Sequence, residues 1–191
     1  MQPLPSTQLD GWLDEDFIPV ETAASYFRQL YEEIPWQQDQ IQLFGRSISI
    51  PRLQAFMGEA GLDYRYSGLS LSAIDWHPAV AEIRDRLLHK TEVQFNAVLL
   101  NLYRDGHDSM GWHRDDEPEL GSNPVIASIS LGAQRRFLMR TRDRERYELQ
   151  LNSGALLWMG PSFQNQCQHS LPKTKKPVTA RINLTFRKIQ I

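Results

Sequence analysis

Apolar residues recur at helical intervals in two stretches of the first half of the chain. Over residues 21–34 they fall every three or four positions and Pro35 follows, so the pattern predicts a helix over this range. Pro78 suits the first turn of a second helix, which we expect to run to about Leu88. Residues 1–16 are acidic and lack a clear period, so we expect them to be irregular.

The hydrophobic pattern of the sequence changes from Val93 onward, where short β-like runs alternate with turn residues. These runs cover residues 94–103, 125–131, 136–140, 147–151, 155–159, 166–171 and 178–188. Earlier, two short extended segments flank a glycine within residues 41–50, and residues 58–68 read as a glycine-bounded loop or an edge strand. Many short strands are typical of an antiparallel sandwich or barrel, so we predict an α+β, mainly β fold.

Composition narrows the class of protein. The chain has 191 residues, 41% hydrophobic and 23% charged, which favours one globular domain that buries its own core. The single cysteine excludes an internal disulfide framework and a cysteine-rich zinc site. No apolar run approaches membrane-spanning length, and the first ten residues lack the features of a secretory signal. We expect a monomer without membrane partners, in a bacterial cytoplasm or a eukaryotic nucleus, and not secreted.

Charge is distributed unevenly along the chain. The net charge is −2, but residues 1–100 carry 7 basic and 14 acidic side chains, whereas residues 101–191 carry 14 basic and 9 acidic ones. A protein that binds a polyanion needs only one basic face. By spacing alone, solvated loops and strand edges explain the basic clusters better, because Lys and Arg there deter aggregation.

Two predicted strands carry polar residues on one face. In residues 181–187 the apolar positions alternate with Arg181, Asn183, Thr185 and Arg187, which therefore share a face. Residues 98–103 repeat the pattern with Asn101 and Tyr103. One explanation is a strand with its polar face in water. The two arginines flanking Asn and Thr favour an anionic ligand instead.

A His-x-Asp pair, His113 and Asp115, offers two side chains that one metal ion would bind together. Of the other histidines, His77, His89 and His107 have ordinary explanations at helix ends or in a turn. His169 lies on a late β-like run and is the best candidate for a third ligand. Two histidines and one carboxylate form the facial triad of non-haem Fe(II) oxygenases. Taken alone, the pair is also explained as a solvated surface feature.

Together these motifs resemble the AlkB-type Fe(II)- and 2-oxoglutarate-dependent nucleic-acid demethylases, over roughly residues 40–189. The similar segments are residues 101–103, 113–117, 126–132, 169–172 and, most specifically, 181–187; residues 51–54 and 64–68 look most like the subfamily acting on duplex DNA. The resemblance implies a double-stranded β-helix, or jelly roll, with N-terminal helices and a nucleotide-recognition lid. We expect one integrated domain with an extension and helix over 1–39, the lid and a supporting helix over 40–92, and the catalytic core over 93–191.

The resemblance also implies a role for each matching residue. His113, Asp115 and His169 would bind iron. Arg181 would pair with the distal carboxylate of 2-oxoglutarate and Arg187 would contact its other end, with hydrogen bonds from Asn101, Tyr103, Asn183 and Thr185. A hairpin with Leu43-Phe44-Gly45 would act as a wedge in the substrate, and Arg52 would lie at the rim of the base pocket. Tyr66 would stack on the flipped base, and the pocket would be lined by Tyr64, Ser67 and Glu117.

The activity implied is oxidative demethylation of 1-methyladenine and 3-methylcytosine in single- or double-stranded DNA. Iron would be the catalytic metal, and 2-oxoglutarate and O2 would be consumed as co-substrates. The products would be succinate, carbon dioxide, formaldehyde and the demethylated base. Because the alkylated base is cationic, Asp116 and Glu117 would favour it, although a solvated acidic turn explains them equally well. The same chemistry on RNA or another substrate, a non-catalytic nucleic-acid-binding module and a zinc hydrolase are the alternatives; the last leaves the arginine strand unexplained.

Overall fold

The structure, a computed structural model, describes residues 1–43, 45–66 and 69–190. Its strands are β1 Gln2–Pro3, β2 Gly11–Asp14, β3 Gln40–Leu43, β4 Arg46–Ser49, β5 Leu53–Gly58, β6 Asp63–Tyr66, β7 Leu69–Ser72, β8 Ala97–Tyr103, β9 Met110–His113, β10 Ile126–Gly132, β11 Arg135–Thr141, β12 Arg146–Leu151, β13 Leu156–Met159, β14 Cys167–Leu171 and β15 Arg181–Arg187. The helices are α1 Val20–Glu33, α2 Pro78–Thr91 and α3 Phe163–Gln166, with a 3-10 turn over Pro118–Leu120.

Two main sheets form the body of the molecule. A seven-stranded sheet has the order β1-β2-β13-β10-β15-β8-β5, and a four-stranded sheet has the order β12-β11-β14-β9. All pairings between these strands are antiparallel. The mainly β fold predicted from the strand spacing is confirmed, and the two sheets are the two layers of a jelly roll.

The core has two parts, one on each face of the seven-stranded sheet. On one face, Leu30 of α1 and Ile83 of α2 belong to a buried cluster with Leu184 of β15. Between the two sheets, Leu99 of β8 and Met139 of β11 belong to a second buried cluster. Strands β8, β10 and β15 lie in the middle of the seven-stranded sheet and therefore have a helix-covered face and a face directed at the other sheet.

Both predicted helices are present, with small differences at their ends. Helix α1 ends at Glu33, because Pro35 restricts the residue before it to extended backbone, here with φ −76° and ψ 134°. Helix α2 continues to Thr91, three residues beyond the expected end, and His77 caps its start by accepting a hydrogen bond from the Ala79 backbone N–H. Within the described residues, no helix combines the length and apolar character needed to cross a membrane.

The expectation that residues 1–16 are irregular is wrong. Strand β2 pairs with β13 at one edge of the seven-stranded sheet, and β1 pairs with β2. Trp12 stacks on Trp158 with ring centroids 5.7 Å apart, and Gly11 is required because a Cβ there would lie 2.3 Å from the Trp158 carbonyl oxygen. A four-residue strand shows too little of a period to be recognised, since its stability comes from these tertiary contacts.

The remaining edge elements agree only in part with the sequence pattern. Strands β3 and β4 form the expected hairpin, with Gly45 at φ +73° in its turn, where a side chain would be strained. Strand β6 pairs with β7, so the edge-strand interpretation of residues 58–68 is the correct one there. Strand β5 was not predicted, although it pairs along its whole length with β8 and forms the other edge of the large sheet.

Candidate active site and metal centre

Three predicted metal ligands meet between the two sheets. His113 on β9 and His169 on β14 are direct cross-strand partners, so their side chains lie on one face, with ring centroids 4.2 Å apart. Asp115 follows β9 by two residues, and its backbone N–H donates to the Gln164 side-chain oxygen at 3.0 Å. The candidate ligand atoms of all three side chains lie within 4.8 Å of one another.

The polar atoms in this cluster fit a bound divalent ion. His113 directs Nδ1 to the Gly111 carbonyl oxygen at 2.9 Å, which leaves Nε2 free for a metal. Asp115 Oδ2 is buried without a hydrogen-bond partner among the described residues and lies 3.6 Å from His169 Nε2. An unsatisfied buried carboxylate oxygen is costly, and a metal ion would remove that cost. Two imidazoles and one carboxylate leave three positions of an octahedron open.

Local charges keep the ligands in the protonation states that bind metal. Burial alone would raise the pKa of Asp115. The Arg187 guanidinium, whose Nη2 donates to Asp115 Oδ1 at 2.5 Å, lowers it by more, so the pKa of this carboxyl lies well below its ordinary value. Burial and the neighbouring His113 lower the pKa of His169 to about 3. The carboxylate is therefore ionised and this imidazole neutral near pH 7, as coordination requires.

An anion cradle lies beside the triad. Arg181 and Asn183 on β15 pair directly across the sheet with Tyr103 and Asn101 on β8, which brings the two predicted polar faces together. Arg181 is 1% exposed, and its Nη2 donates to Ser130 Oγ at 2.9 Å. Its Nε and Nη1 have no partner among the described residues. Burial lowers its pKa to about 10, so it remains charged at neutral pH and calls for an anion.

One pocket joins the triad to the cradle. Its lining includes all nine residues predicted to hold iron or 2-oxoglutarate, which are Asn101, Tyr103, His113, Asp115, His169, Arg181, Asn183, Thr185 and Arg187. A metal site and an unneutralised buried guanidinium in one pocket suit a ligand with two carboxylate-type ends. One end would reach the metal ion and the other would reach Arg181.

Comparison with known families agrees with this geometry. A model described as the 2OG-Fe(II) oxygenase superfamily matches residues 11–187. The chain belongs to this superfamily. It is therefore an Fe(II)- and 2-oxoglutarate-dependent dioxygenase, and the triad is the group of side chains that could hold its iron. Iron bound there supplies a coordination site for 2-oxoglutarate and O2 and the oxidising power for C–H hydroxylation.

Curated relatives place the oxygenase among the AlkB-type members. It is 43% identical to mouse "DNA oxidative demethylase ALKBH2" over 87% of this chain and 75% of that protein. The bovine protein of that name is 42% identical over 92% and 64%. Human "Alpha-ketoglutarate-dependent dioxygenase alkB homolog 3" is 38% identical over 91% and 64%, so this chain spans under two thirds of the latter two relatives. The solved structure of OsALKBH1 shares the fold, with a TM-score of 0.62 at 18% identity, covering 93% of this chain and 97% of that one.

Arg187 is in direct contact with one of the three candidate metal ligands. Besides its bond to Asp115, its Nη1 donates to the Thr185 carbonyl oxygen at 3.1 Å, and its guanidinium carbon lies 5.5 Å from the centroid of the Tyr64 ring. The pair with Asp115 raises the pKa of Arg187 even though burial lowers it. In this oxygenase Arg187 fixes the position and charge of the Asp115 carboxylate; its contact with 2-oxoglutarate stays a prediction.

The predicted base pocket is partly in view. Tyr64 is fully buried, stacks on Phe56 with ring centroids 5.5 Å apart and interacts electrostatically with Glu117. Burial, followed by the nearby Asp115 charge, raises the pKa of Glu117. Asp116 is exposed, in agreement with a solvated turn.

The other residues predicted to meet substrate are less fully defined. Leu43 and Tyr66 end strands β3 and β6, which fixes their backbone only, while Phe44 and Ser67 lie outside the described residues. The expected rim position of Arg52 is wrong. Arg52 is 5% exposed, and its Nε donates to Asn101 Oδ1 at 2.8 Å, because β5 runs directly beside β8. Arg52 therefore orients a residue of the cradle from behind.

Several residues that shape the site were not singled out from the sequence. Ser128 and Ser130 on β10 accept hydrogen bonds from Asn183 and Arg181, and their alternation on a predicted strand is the signal that could have revealed them. Arg135 forms one of the basic clusters with Arg136, for which the spacing favoured a solvated position, but it is 3% exposed. Its guanidinium donates to the carbonyl oxygens of Asp105, Asp108 and Pro172, at 2.8–2.9 Å, and lies over the Tyr103 ring. No sequence signal distinguishes it from its exposed neighbour.

Proposed function

We propose that this oxygenase demethylates N-alkylated bases in DNA, chiefly 1-methyladenine and 3-methylcytosine, and releases formaldehyde. The observation that carries the proposal is the single pocket in which the His113-Asp115-His169 cluster lies beside the unneutralised Arg181. Several relatives at 42–43% identity bear the name "DNA oxidative demethylase ALKBH2". Their reaction is the best hypothesis for a chain that shares so much of their sequence.

The wall of the base pocket suits a cationic substrate. Glu117 interacts electrostatically with Tyr64 next to the metal ligands, and the pKa of Glu117 is raised by burial and by Asp115. A positively charged base beside Glu117 would stabilise its ionised form, whereas an uncharged base would not. N1-methylated adenine and N3-methylated cytosine carry that positive charge, and the weakened pairing of such bases lowers the cost of flipping them into the pocket.

A basic surface on the four-stranded sheet suits the phosphates of the substrate. Arg114, Arg140, Arg142, Arg144 and Arg146 line one shallow depression, which we call the arginine face. None of these five arginines forms an ion pair within residues 1–43, 45–66 and 69–190. Contacts to phosphates position a nucleic acid without reading its sequence, so this surface supports the proposed partner and not a particular base.

The decisive experiment measures formaldehyde from a panel of methylated substrates, with and without added iron and 2-oxoglutarate. The panel contains single-stranded DNA, duplex DNA, RNA of the same sequence and the free methylated nucleoside. We expect release that depends on both additions and is greatest with a DNA strand. Faster release from RNA would move the substrate to RNA with the same chemistry. No release from any substrate would favour the non-catalytic binding module.

Action on duplexes is a separate part of the proposal. The β3–β4 hairpin forms a two-stranded sheet of its own, in which a tip residue would act as a wedge between base steps. Phe44→Ala should therefore slow demethylation of a methylated duplex about tenfold more than that of a single strand, by removing an apolar wedge worth roughly 1–3 kcal/mol. Ile48→Ala is the matched control, since Ile48 is exposed on β4 away from the tip. Equal losses on both substrates would contradict the wedge.

A further inference from the structure

The outer side of the four-stranded sheet carries an aromatic residue among the arginines. His113 points into the site, so Trp112, its neighbour on β9, points to the opposite side of the sheet. Trp112 is 37% exposed, and the Arg140 guanidinium carbon lies 4.7 Å from the centroid of its ring. Large aromatic side chains are more often buried, and here the ring lies at the edge of the arginine face.

Strand register explains why these side chains meet. Arg140 on β11 pairs with Arg146 on β12 on one side and with Gln168 on β14 on the other. On β14, His169 pairs with His113, so Trp112 and Gln168 lie on the same outer side of the sheet but diagonally across the two strands. Arg146, Arg140 and Gln168 therefore form a row across three strands, in which Arg140 donates to the Gln168 side-chain oxygen and also reaches over the indole ring of Trp112 on the fourth strand.

The charge of this row is not neutralised. Asp143 and Glu145, the acidic residues of the intervening turn, accept hydrogen bonds from Gln8 and Tyr147 and form no ion pair with the arginines among the described contacts. Arg114 Nε is buried without a hydrogen-bond partner in the same part of the chain. A polyanion would complete these charges, and an aromatic ring among them is the arrangement by which proteins hold unpaired nucleotides.

We propose that Trp112 is a stacking platform for one unpaired base of the strand whose phosphates lie on the arginine face. Arg140 covers one part of the indole ring and holds its orientation, while the exposed part receives the base. This inference rests on the proposed function, because it takes a nucleic acid as the substrate. The site lies one residue from the metal ligand His113 but on the other side of the sheet, so the platform holds a nucleotide other than the one that reacts.

The test compares binding of two labelled single strands by fluorescence anisotropy. One strand is a 12-mer of deoxythymidylate, and the other has the same phosphates but abasic sugars. The wild type should bind the strand with bases about tenfold more tightly, within the 1–3 kcal/mol that one base–aromatic stack contributes. Trp112→Ala and Trp112→Leu should lose this preference, and Trp112→Phe should keep most of it. Tyr31→Ala, which removes an exposed ring on α1, is the matched control.

Salt dependence separates stacking from phosphate contact. Trp112→Ala should leave the slope of log affinity against log salt unchanged, whereas Arg144→Ala should make it shallower by roughly 0.7. An equal loss by Trp112→Ala on both strands, or a loss confined to blunt duplex DNA, would overturn base stacking. Retention of the full preference in Trp112→Ala and Trp112→Leu would also overturn it. Formaldehyde release by the wild type is scored separately: its absence with an intact base preference would refute the demethylase and not the platform.

Discussion

The two sides of the four-stranded sheet use the same strands for opposite purposes. On the inner side, His113 and His169 face a buried pocket in which Arg187 holds Asp115 and Arg181 lacks an anion. On the outer side, the neighbouring residue Trp112 and the arginine face remain accessible to solvent. The alternation of side chains along a strand separates the two surfaces by one residue.

Burial changes how much the charge of a side chain contributes to the free energy of folding and binding. Inside, water does not screen a guanidinium, so each charge needs a specific partner and removing one has a large effect. Outside, water and salt screen each charge, so the arginines act together and each contributes little. Substitutions on the two sides should therefore differ in size, in salt dependence and in whether they alter chemistry or binding.

The largest effect is expected from His113→Ala. Losing one of three ligands should weaken metal binding by at least about 100-fold and abolish formaldehyde release, since even removal of a residue behind the ligands costs 10–100-fold. The fold should persist, because within the described part of the chain the only hydrogen bond of this partly exposed side chain is to the Gly111 carbonyl oxygen. The metal content of the purified variant measures the loss of metal binding, and thermal unfolding measures whether the fold persists. His107→Ala, an exposed histidine in the preceding turn, is the control, and wild-type turnover by His113→Ala without bound iron would refute the triad.

Arg181→Met should separate stability from co-substrate binding. Replacing an unpaired buried guanidinium by an apolar side chain should raise the unfolding free energy of the ligand-free protein by about 1–3 kcal/mol. The same change should raise the KM for 2-oxoglutarate roughly 10–150-fold, from loss of a charged hydrogen bond of 1.5–3 kcal/mol. Arg136→Ala, on the outer side, should leave this KM unchanged. An unchanged requirement for 2-oxoglutarate in Arg181→Met would exclude the carboxylate role.

The inner side was readable from the sequence because strand alternation decides which residues share a face. The pattern of residues 181–187 predicted the polar face of the cradle, and the His113–Asp115 spacing predicted two candidate metal ligands, whereas their meeting in one site was implied by the family resemblance. Alternation does not say what covers a face, so it provides no reason to bury Arg52 or Arg135 and none to expose Trp112. The same limit explains why β2 and β5 were missed: β2 lies next to one end of the large sheet and β5 at its other end, and the stability of each comes from the strands with which it pairs.

A pH experiment tests an ion pair outside the pocket, in which the Asp108 carboxylate is buried and Arg104 is exposed. Asp108 is 4% exposed and accepts hydrogen bonds from Arg104 Nε at 2.7 Å and Nη2 at 2.9 Å. Burial raises its pKa, but these bonds lower it more, so the folded pKa lies below that of the unfolded chain. The pair therefore stabilises the fold above about pH 4, and this contribution disappears as the pH falls through the folded pKa.

Asp108→Asn should consequently lower the unfolding free energy at pH 7 by about 1–3 kcal/mol and flatten its decline below about pH 4. Denaturant titrations of the metal-free protein, at pH values from 7 down to below about 4, measure both effects. Asp105→Asn, at an exposed position in the same turn, is the control and should leave the acid limb unchanged. A wild-type acid limb in Asp108→Asn would show that the pair does not contribute.

The smallest effect is expected from the exposed pair of the outer side. Arg136 Nη2 lies 2.8 Å from Glu148 Oε2, but the two side chains are 53% and 40% exposed. A double-mutant cycle of Arg136→Ala and Glu148→Ala should give a coupling of at most about 1 kcal/mol, because solvent screens the charges and two flexible side chains lose freedom. The coupling should also shrink as salt is added. A salt-insensitive coupling of several kcal/mol would break the comparison, since it would give a solvated pair the strength that we attribute to burial.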